Sequence, residues 1–419
     1  MQGLKNSSEK IKKFPPMRIL QITNKVPFPP VEGGSIAINM ITQGLLKAGH
    51  SVKILAMNTP KNNIDIHSLP ESYRKSTNVE AVFVDNRVKI IDAFLNLFFS
   101  RKSYHVVRFI NDCFESALEK ILQREMFDIV LLEMLYVTPY IPVIRKNSDA
   151  KIILRTHNIE HLIWERLAYN SGFLKKKYLQ IISKRLKKYE IEQFSKVDGI
   201  AAITALDATF IRKYERNIPL TDIPVAAEPV DDSDDSISPE YPGLFHLGSM
   251  NWMPNFEGIK WFIYNVWPLI HLKFPGVKLY LAGRAMPDRI TNLNNEHIIV
   301  IGEVPDAGKF MKSKSVMIVP LLSGGGMRVK IIEGMQYGKT IISTKIGAEG
   351  IDCEHEKNIL IADTPDQFVD CIGKVIQNEN YGKQLGQNAK QLIHEKYDNT
   401  TVTKRLLAFF EMLLNASSA

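Results

Sequence analysis

The chain has 419 residues, of which 45% are hydrophobic, and a formal net charge of +8 at pH 7. Because single hydrophobic cores stop growing at about 250–300 residues, this length predicts two domains. The chain contains no apolar run close to the ~20 residues that span a bilayer, and the polar, lysine-dotted residues 1–16 lack the apolar centre of a secretory signal. We therefore expect residues 1–16 to be a flexible leader.

The cysteines and the charge exclude further classes. Cys113, Cys353 and Cys371 are widely spaced and odd in number, which indicates neither a disulfide framework nor a zinc site and favours a reducing, cytoplasmic location. Positive charge favours anionic partners such as nucleic acid, a nucleotide or an anionic membrane. Since no helix-turn-helix, RNP-like, KH or zinc-finger pattern occurs, we expect no nucleic-acid partner.

Strand and helix patterns alternate along the first half. Arg18–Thr23 predicts a strand, a turn-rich segment follows, and Ser35 is the predicted N-cap of a helix that Gly49 ends before a strand at 51–57. This is a βαβ unit, the building block of a doubly wound parallel sheet. Further strands are predicted at 127–132, 151–155 and 199–203, so we expect residues 17–226 to form one Rossmann-like domain.

Two segments of this half each allow two interpretations. Residues 173–188 combine a helical apolar face with seven cations, and they predict either a lipid-docking helix or, as we favour, an amphipathic helix with a lysine-rich solvent face. The apolar residues 91–100 could lie on a membrane or in the core, and we expect the core.

The second half repeats the alternation. The acidic, proline-rich residues 227–242 predict a linker. A helix is predicted near 261–271, and strands at 243–247, 277–282, 297–301, 315–320, 339–343 and 358–361. We expect 243–398 to form a second Rossmann-like domain that faces the first across a cleft, with ligands at the carboxyl ends of the strands. The Asp-x-Asp spacing within 231–235 lies in the linker, so we expect no metal site.

The most informative stretch is the glycine-rich turn after the predicted strand 315–320. Gly324, Gly325 and Gly326 have no Cβ, so a ligand can approach their backbone, and the next helix would direct its free N–H groups there. Arg328 and Lys330 fall in its first turn, where the helix dipole favours acids, which indicates a bound anion. The pattern predicts a seat for a diphosphate joined to a sugar, although a plain tight connection is the alternative for the turn by itself.

This stretch resembles the donor-binding motif of the family-4 retaining glycosyltransferases of the GT-B fold, in the branch that acts in bacterial surface-polysaccharide synthesis. In that family two glutamates eight positions apart flank the turn, and Glu333 matches the second, which holds the ribose. The first, which grips the donor sugar, falls on Gly325. The branch carries a similar Gly-Gly-Gly-x-Arg-x-Lys turn.

Other motifs extend the resemblance from residue 17 onward, and it implies that 17–226 is the acceptor-side domain and 243–398 the nucleotide-sugar donor domain. Residues 247–255 match the family's phosphate loop without its arginine and lysine, which Arg328 and Lys330 are expected to replace. The resemblance assigns the base to the turn 302–306 and a donor-sugar contact to His157, although a lone histidine is usually structural. It also implies that residues 399–419 form a helix that crosses back to the first domain. The expected donor-site residues are Gly33, Gly34, Gly248, Ser249, Arg284 (or a surface ion pair), Val304, Gly324, Gly325, Gly326, Met327, Lys330 and Glu333.

The resemblance implies a metal-independent retaining glycosyltransferase without a cofactor, with His157, Arg328 and Glu333 in catalytic roles. It would transfer a sugar from a nucleotide diphosphate to a glycan or lipid-linked acceptor, in the cytoplasm and possibly at the inner face of an anionic membrane. Two alternatives stay open. One is a non-catalytic nucleotide-sugar-binding protein, because Gly325 replaces a glutamate. The other is a nucleotide-sugar epimerase.

Overall fold

The structure is a computed structural model that describes residues 15–100, 102–169, 171–227 and 237–416. Most of the expected leader and most of the expected linker lie outside the described residues. Within them the chain forms two wholly parallel sheets of seven and six strands, each flanked by helices. We call the unit around the first sheet the first domain and the unit around the other the second domain.

The first sheet has the order β3-β2-β1-β4-β5-β6-β7. Its strands are β1 Arg18–Thr23, β2 Ser51–Asn58, β3 Glu80–Phe83, β4 Ile129–Glu133, β5 Lys151–Thr156, β6 Gly199–Ala202 and β7 Leu220–Asp222. Its helices are α1 Gly33–Lys47, α2 Glu71–Thr77, α3 Ile90–Phe99, α4 Tyr104–Val107, α5 Asp112–Arg124, α6 Ile141–Asn147, α7 Glu160–Tyr169, α8 Phe173–Phe194 and α9 Ala205–Arg212, with 3₁₀ turns at Ile66–Ser68 and Leu135–Tyr140.

The second sheet has the order β10-β9-β8-β11-β12-β13. Its strands are β8 Glu240–Leu247, β9 Lys278–Ala282, β10 Ile298–Gly302, β11 Lys314–Val319, β12 Thr340–Ser343 and β13 Leu360–Ile361. The helices are α10 Met253–Trp261, α11 Trp267–Lys273, α12 Asp288–Thr291, α13 Ala307–Lys312, α14 Val329–Gln336, α15 Pro365–Gln377, α16 Glu379–Lys396 and α17 Asn399–Asn415, with a π-helical segment Phe262–Val266 between α10 and α11.

In each sheet the order of the strands reverses at one point, and this determines where ligands can bind. The strand order changes sides between β1 and β4 in the first sheet and between β8 and β11 in the second. In doubly wound sheets, ligands bind outside the carboxyl ends of the strands at such a switch point. The predicted α/β class with two Rossmann-like sheets is confirmed.

Helices cover both faces of each sheet, so the central strands are buried along their length. β4 is fully buried, and Ile19 and Ile22 of β1 have no exposed surface. Helix α17 packs on the first domain, where Leu406 and Phe410 join the core that contains Ile19. The last helix therefore lies on the sheet that begins the chain.

Four local expectations differ from the structure. Helix α1 begins at Gly33 with Glu32 as N-cap, because the Ser35 hydroxyl bonds both the N–H (3.1 Å) and the carbonyl (2.8 Å) of Glu32 from inside the first turn. Strands β3 and β7 went unpredicted, since they are short and only partly buried. The predicted helix near 261–271 spans the end of α10, the π-helical segment and α11.

The fourth difference concerns residues 91–100, which we expected in the core. They form most of α3, and none of the residues of this helix is buried. No helix among the described residues is long and apolar enough to cross a membrane.

Candidate active site

The glycine-rich turn after β11 contacts the first domain directly. A Cβ on Gly326 would lie 2.0 Å from Oδ1 of Asn158 and 2.8 Å from the carbonyl oxygen of His157, and one on Gly325 would lie 2.9 Å from Cγ1 of Ile163. Gly324 and Gly326 also have φ values of +122° and +70°, which side chains other than glycine rarely adopt. Glycine is therefore required for the two domains to approach each other this closely.

Two arginines bridge the domains at this level. Arg166 of α7 donates to the carbonyl of Gly324 and forms a bidentate ion pair with Glu349, both N–O distances being 2.7 Å. On the other side, Nη2 of Arg284 donates to the carbonyl of Val31 at 3.3 Å. The side chain of Arg284 thus contacts a backbone carbonyl of the first domain, and it forms none of the ion pairs described in the structure.

Arg328 turns back toward the glycines instead of projecting from the helix. It is the N-cap of α14, not a residue of its first turn, and its guanidinium donates to the carbonyls of Gly325 and Gly326. The side chain lies 5.4 Å from the ring centroid of Trp252 and is 4% exposed. Its Nε and Nη2 are buried and have no hydrogen-bond partner among the described residues. A buried donor without an acceptor is costly, and Nε and Nη2 of Arg155 share this property. Arg328 differs because it also has no carboxylate among its described hydrogen-bond partners.

Lys330 connects the two loops that flank the switch point of the second sheet. Its Nζ donates to Oδ1 of Asn255 at 2.6 Å, and Nδ2 of Asn255 donates to the carbonyl of Ser249 at 2.9 Å. Gly248 lies so close that a Cβ there would be 2.6 Å from the same Nζ. Burial, aided by the neighbouring charge of Arg328, lowers the pKa of Lys330 to about 7. A bound anion would favour the charged ammonium.

Glu333 lies one turn further along α14, on the same face as Lys330. Its side chain is half-buried, and its charge opposes the fall in the pKa of Lys330. Lys330 and Glu333 therefore present one cation and one carboxylate in sequence along the helix, away from the glycine turn.

The loops after β8, β9 and β10 pack side by side next to these residues. A Cβ on Gly283 would lie 2.0 Å from the carbonyl oxygen of Gly248, and the N–H of Gly283 donates to the carbonyl of Gly302 at 2.7 Å. Val304, in the following turn, is half-buried against the core of the second domain. The predicted phosphate loop and the predicted base turn therefore line one continuous edge of the sheet.

The start of α1 faces the start of α14 across the cleft. A Cβ on Gly33 would lie 3.3 Å from Cγ2 of Val329, and one on Gly34 would lie 3.4 Å from Nζ of Lys25. Met327 packs against apolar residues of both domains. Burial lowers the pKa of Lys25 despite its ion pair with Glu32, whose carboxylate lies 3.4 Å away.

His157 belongs to a buried polar network at the switch point of the first sheet. Its Nε2 lies 2.6 Å from Oε2 of Glu133, which is also 3.2 Å from Nη1 of Arg155. Burial alone would raise the pKa of Glu133, but the charge of Arg155 and the hydrogen bonds from His157 and Gln21 hold it below its usual range. Glu133 is therefore an acceptor, and Nε2 of His157 carries the hydrogen.

The same network reaches the start of α1 and orients the histidine. Nη1 of Arg155 donates to the carbonyl of Ala37 at 3.3 Å. Burial lowers the pKa of His157 although Glu133 favours its charged form. A neutral ring with a hydrogen on Nε2 has its lone pair on Nδ1, so that atom can accept a hydrogen bond from a hydroxyl.

Glu160, at the start of α7, is a second buried carboxyl on this side. It accepts a 2.7 Å hydrogen bond from the hydroxyl of Tyr136 and a 3.4 Å hydrogen bond from Nδ2 of Asn158. Burial raises the pKa of Glu160 to about 7, and the charge of Glu190 adds to this shift. No group of three or more histidine, cysteine or acidic residues in the described part of the chain is arranged to hold a metal ion.

Known proteins match both the sequence and this architecture. Residues 241–378 match the family described as Glycosyl transferases group 1. An uncharacterized 44.6 kDa protein in the cps region of Klebsiella pneumoniae is 25% identical over 401 residues, which cover 92% of this chain and 97% of that protein.

Solved structures match the whole two-domain arrangement. Sucrose-phosphate synthase from Thermosynechococcus elongatus superposes with a TM-score of 0.71 and 14% identity, covering 96% of this chain and 100% of the other. HepE of Anabaena, in complex with UDP-glucose, has a TM-score of 0.64 and 12% identity, with 94% and 100% covered. The chain has the GT-B fold and carries a group 1 glycosyltransferase domain.

The group 1 domain contains most of the predicted donor residues. The matched region runs from β8 to the end of α15 and includes Gly248, Arg284, Arg328 and Glu333. His157 and the glycine pair 33–34 lie in the first domain, outside that region, and face it across the cleft. The structure thus brings the predicted residues around one cleft, and their roles in binding remain predictions.

Several cleft residues went unpredicted. Glu133 pairs with His157 from another strand, and Arg166 pairs with a glutamate 183 positions away. The one signal available for Glu133 was its position at the end of a buried apolar strand, where a polar residue borders the ligand edge of a parallel sheet. No local pattern marks Arg166 or Glu349.

Proposed function

We propose that this protein is a retaining glycosyltransferase that moves a sugar from a nucleotide diphosphate to a hydroxyl of a glycan or lipid-linked acceptor. The observation that carries the proposal is Arg328, a buried arginine that forms none of the ion pairs described in the structure. Its Nε and Nη2 are unpartnered among the described residues, and its charge acts on Lys330. The HepE structure contains UDP-glucose, so a UDP-sugar is the first donor to test. The Klebsiella relative in a cps region supports a role in surface-polysaccharide synthesis.

The leaving diphosphate is where negative charge grows during transfer. Nε and Nη2 of Arg328, the ammonium of Lys330, on which the charge of Arg328 acts, and the N-terminus of α14 would stabilise that charge. These groups are fixed before the reaction and would fill the role that a divalent cation has in other transferases. Glu333, further along the helix, would bind the ribose hydroxyls.

The acceptor would attack the anomeric carbon on the face from which the diphosphate departs, so the configuration is retained. The bond from the anomeric carbon to the phosphate oxygen breaks, the bond to the acceptor oxygen forms, and the acceptor proton passes to the departing phosphate. Neutral His157, oriented by Glu133, would accept a hydrogen bond from a donor-sugar hydroxyl through Nδ1. Closure of the two domains would exclude water during this step.

The missing first glutamate leaves the sugar contact to the first domain. A side chain at Gly325 would press on Ile163, while Asn158 and Glu160 lie next to the turn. We assign the contact that the family places on that glutamate to the segment 157–160. The cytoplasmic face of an anionic membrane is the proposed location, because a lipid-linked acceptor would be reached there.

A non-catalytic nucleotide-sugar-binding protein is the second candidate, and Gly325 is the observation that favours it. Such a protein would bind a donor and show neither transfer nor donor hydrolysis. Product analysis with a bound donor distinguishes the two candidates, and an isomerised nucleotide sugar formed without an acceptor would indicate an epimerase.

The direct test is a thermal-shift screen with UDP-, GDP-, dTDP- and ADP-sugars in the presence of a metal chelator. We expect one nucleotide class to raise the melting temperature, and we expect Arg328→Met to abolish that shift. Arg289→Met is the matched control, because Arg289 lies on α12 in the same domain and makes none of the cleft contacts described above. No shift with any donor would contradict the proposal, as would a shift that Arg328→Met leaves unchanged.

A further inference from the structure

The apolar face of α3 is exposed to solvent. Two adjacent rows of side chains, each spaced by four residues, form this face: Ile90, Phe94 and Phe98 in one row, and Ile91, Leu95 and Phe99 in the other. Their exposed fractions are 84, 59, 64, 74, 48 and 83%, respectively. The rings of Phe94 and Phe98 pack on each other with centroids 4.7 Å apart. A contiguous apolar patch of this kind marks an interaction site.

Polar contacts to the helix backbone hold α3 with this face outward. The hydroxyl of Tyr104 lies 3.1 Å from the N–H and 3.2 Å from the carbonyl of Lys89, just before the helix. At the other end, Arg185 of α8 donates to the carbonyls of Asn96 and Leu97 at 3.1 and 2.8 Å. The helix is thus fixed at both ends by bonds that leave its large side chains uncovered.

The surface of α8 next to α3 combines apolar groups with cations. Tyr178, Ile181 and Lys188 follow the helical spacing that places them on the same face as Arg185, and Lys184 flanks that face. Tyr178 and Ile181 are 38 and 44% exposed, and the two lysines are exposed. We call α3 together with this face of α8 the α3–α8 surface.

The turn between α7 and α8 continues the same chemistry. Tyr169 and Phe173 are largely exposed there. Lys176 lies 5.5 Å from the ring centroid of Tyr169, and Lys177 lies 4.6 Å from that of Phe173. Aromatic rings beside lysines are the combination that occupies the headgroup level of a membrane.

We propose that the α3–α8 surface docks on an anionic phospholipid bilayer. The rows of α3 would enter the boundary between headgroups and acyl chains, while Lys184 and Lys188 would contact lipid phosphates. Charge favours this occupant over a second copy of the chain, because cations outnumber acidic residues on the surface and two copies would repel. The cations are Lys184, Arg185 and Lys188, and the acidic residues are Asp92 of α3 and Glu192, which lies 3.8 Å from Lys188. Helix α8 has the buried apolar face and the exposed lysines that we favoured from the sequence, and the proposal adds a lipid surface as the partner of those lysines.

The α3–α8 surface lies one helix away from the proposed catalytic cleft. Helix α7 begins at the buried Glu160 and ends at the exposed Tyr169, a distance of about 14 Å at the helical rise of 1.5 Å per residue. Docking would therefore hold the cleft near the bilayer, where a lipid-linked acceptor is anchored. This purpose rests on the proposed function, whereas docking itself does not require it.

The test is flotation of the full-length protein with vesicles. We compare phosphatidylcholine vesicles with vesicles that also contain phosphatidylglycerol, at low and high salt. We expect binding to the anionic vesicles that weakens with salt, and a loss of about tenfold or more in Phe94→Ser/Phe98→Ser. Lys184→Gln/Lys188→Gln should lose about tenfold on anionic vesicles alone.

The second domain supplies matched controls. Leu269→Ser/Leu272→Ser removes two exposed apolar residues of α11, and Lys260→Gln/Lys273→Gln removes two exposed cations. Both pairs should bind vesicles like the unaltered protein. Equal losses in the test and control variants would overturn the proposal, and so would the absence of binding to anionic vesicles.

A second copy on this surface would give a different result. In that case the unaltered protein would sediment as a dimer, Phe94→Ser/Phe98→Ser would be a monomer, and no vesicle binding would be seen, which overturns the membrane assignment. Donor thermal shifts in the same variants separate this inference from the proposed function. Vesicle binding lost with the donor shift retained supports the surface, whereas a missing donor shift with vesicle binding retained faults the proposed function alone.

Discussion

Two buried arginines face the cleft from opposite domains, and their surroundings differ. Arg155 is fully buried and lies 3.2 Å from the carboxylate of Glu133. Arg328 is nearly as buried, yet its described hydrogen bonds go to backbone carbonyls only. Nε and Nη2 lack a hydrogen-bond partner among the described residues in both arginines, so the difference lies in the counter-charge. A buried cation with its own carboxylate is electrically compensated, whereas one without a carboxylate leaves attraction available for an external anion. Under the proposed function, the compensated arginine would orient its neighbours in the first domain and the uncompensated one would bind the anion in the second.

The largest effect on stability should come from breaking the buried ion pair of Arg155 and Glu133. Glu133→Gln leaves Arg155 buried without a counter-charge and replaces the carboxylate partner of His157 by a neutral amide, so we expect the free energy of unfolding to fall by about 3–5 kcal/mol. Chemical denaturation followed by circular dichroism measures this. Glu119→Gln is the control, since Glu119 forms a surface pair with Lys146 and should cost less than about 1 kcal/mol. A loss no larger than that of the control would show that the network does not stabilise the domain.

Arg328→Met should separate binding from stability. Loss of two charged hydrogen bonds to the donor diphosphate should weaken binding by about 3 kcal/mol, or roughly a hundredfold in Kd. The unfolding free energy without donor should stay unchanged or rise, because an uncompensated buried charge is removed. Calorimetric titration and denaturation measure the two quantities. A large loss of stability with unchanged Kd would reverse the roles that the comparison assigns to the two arginines.

Glu333→Ala tests the far end of the donor site. If its carboxylate binds the ribose, donor affinity should fall by about 1–3 kcal/mol. The sharper readout is selectivity. Glu333→Ala should lose the preference of the site for a ribonucleotide sugar over its deoxyribose analogue, while Arg328→Met should weaken both to the same extent. Retained selectivity in Glu333→Ala would remove Glu333 from the ribose site.

The affinity for a nucleotide sugar should depend on pH near neutrality. The pKa of Lys330 is about 7, so its ammonium is charged below that pH and becomes neutral above it, and affinity for the diphosphate should fall as pH rises from 6 to 8. Glu160, whose pKa is also about 7, gains negative charge over the same range and acts in the same direction. Calorimetry with an intact nucleotide sugar avoids the terminal phosphate of a free nucleotide, which itself titrates near pH 6.

Variants separate the two titrating groups. Lys330→Met should bind the nucleotide sugar more weakly at low pH, and its affinity should depend less on pH. Glu160→Gln should retain the part of the pH dependence that is due to Lys330. A profile that neither variant changes would assign the pH dependence to other groups.

The smallest effect should come from the exposed bridge between the domains. Arg166 and Glu349 are 37 and 30% exposed, so their ion pair should contribute no more than about 1 kcal/mol. Arg166→Gln should therefore leave unfolding nearly unchanged. Small-angle X-ray scattering should detect a larger mean radius of gyration if this contact holds the cleft closed, and an unchanged radius would show that the glycine-turn contacts suffice.

The sequence predicts the layers of this protein better than its long-range pairs. Short apolar runs predict buried strands such as β1, β4 and β11, and the composition of the chain after β11 predicts the glycine turn. The short edge strand β7 has no such run. Which strand end lies beside which depends on the sheet order, so the pairing of Glu133 with His157 could not be obtained from either local segment.

Two individual misreadings have local physical causes. Arg328 was expected to project from a helix turn, but the positive φ values of Gly324 and Gly326 curl the chain so that the guanidinium meets its own preceding carbonyls. Residues 91–100 were assigned to the core on composition alone. Apolar composition does not distinguish a buried helix from one whose uncovered face awaits a partner, because both have the same pattern.

The last described residue before the first crossing to the second domain is bonded to the segment that leads back to the first domain. Ala227, at the end of the first domain, donates its N–H to the carbonyl of Tyr397 at 2.8 Å and pairs in parallel with Asp398, just before α17 returns to the first sheet. These two bonded backbone segments form a candidate hinge between the domains. We expect the second domain to rotate about this hinge when product leaves. The contacts of the glycine turn with the first domain would then break, while the bond between Ala227 and Tyr397 would stay formed.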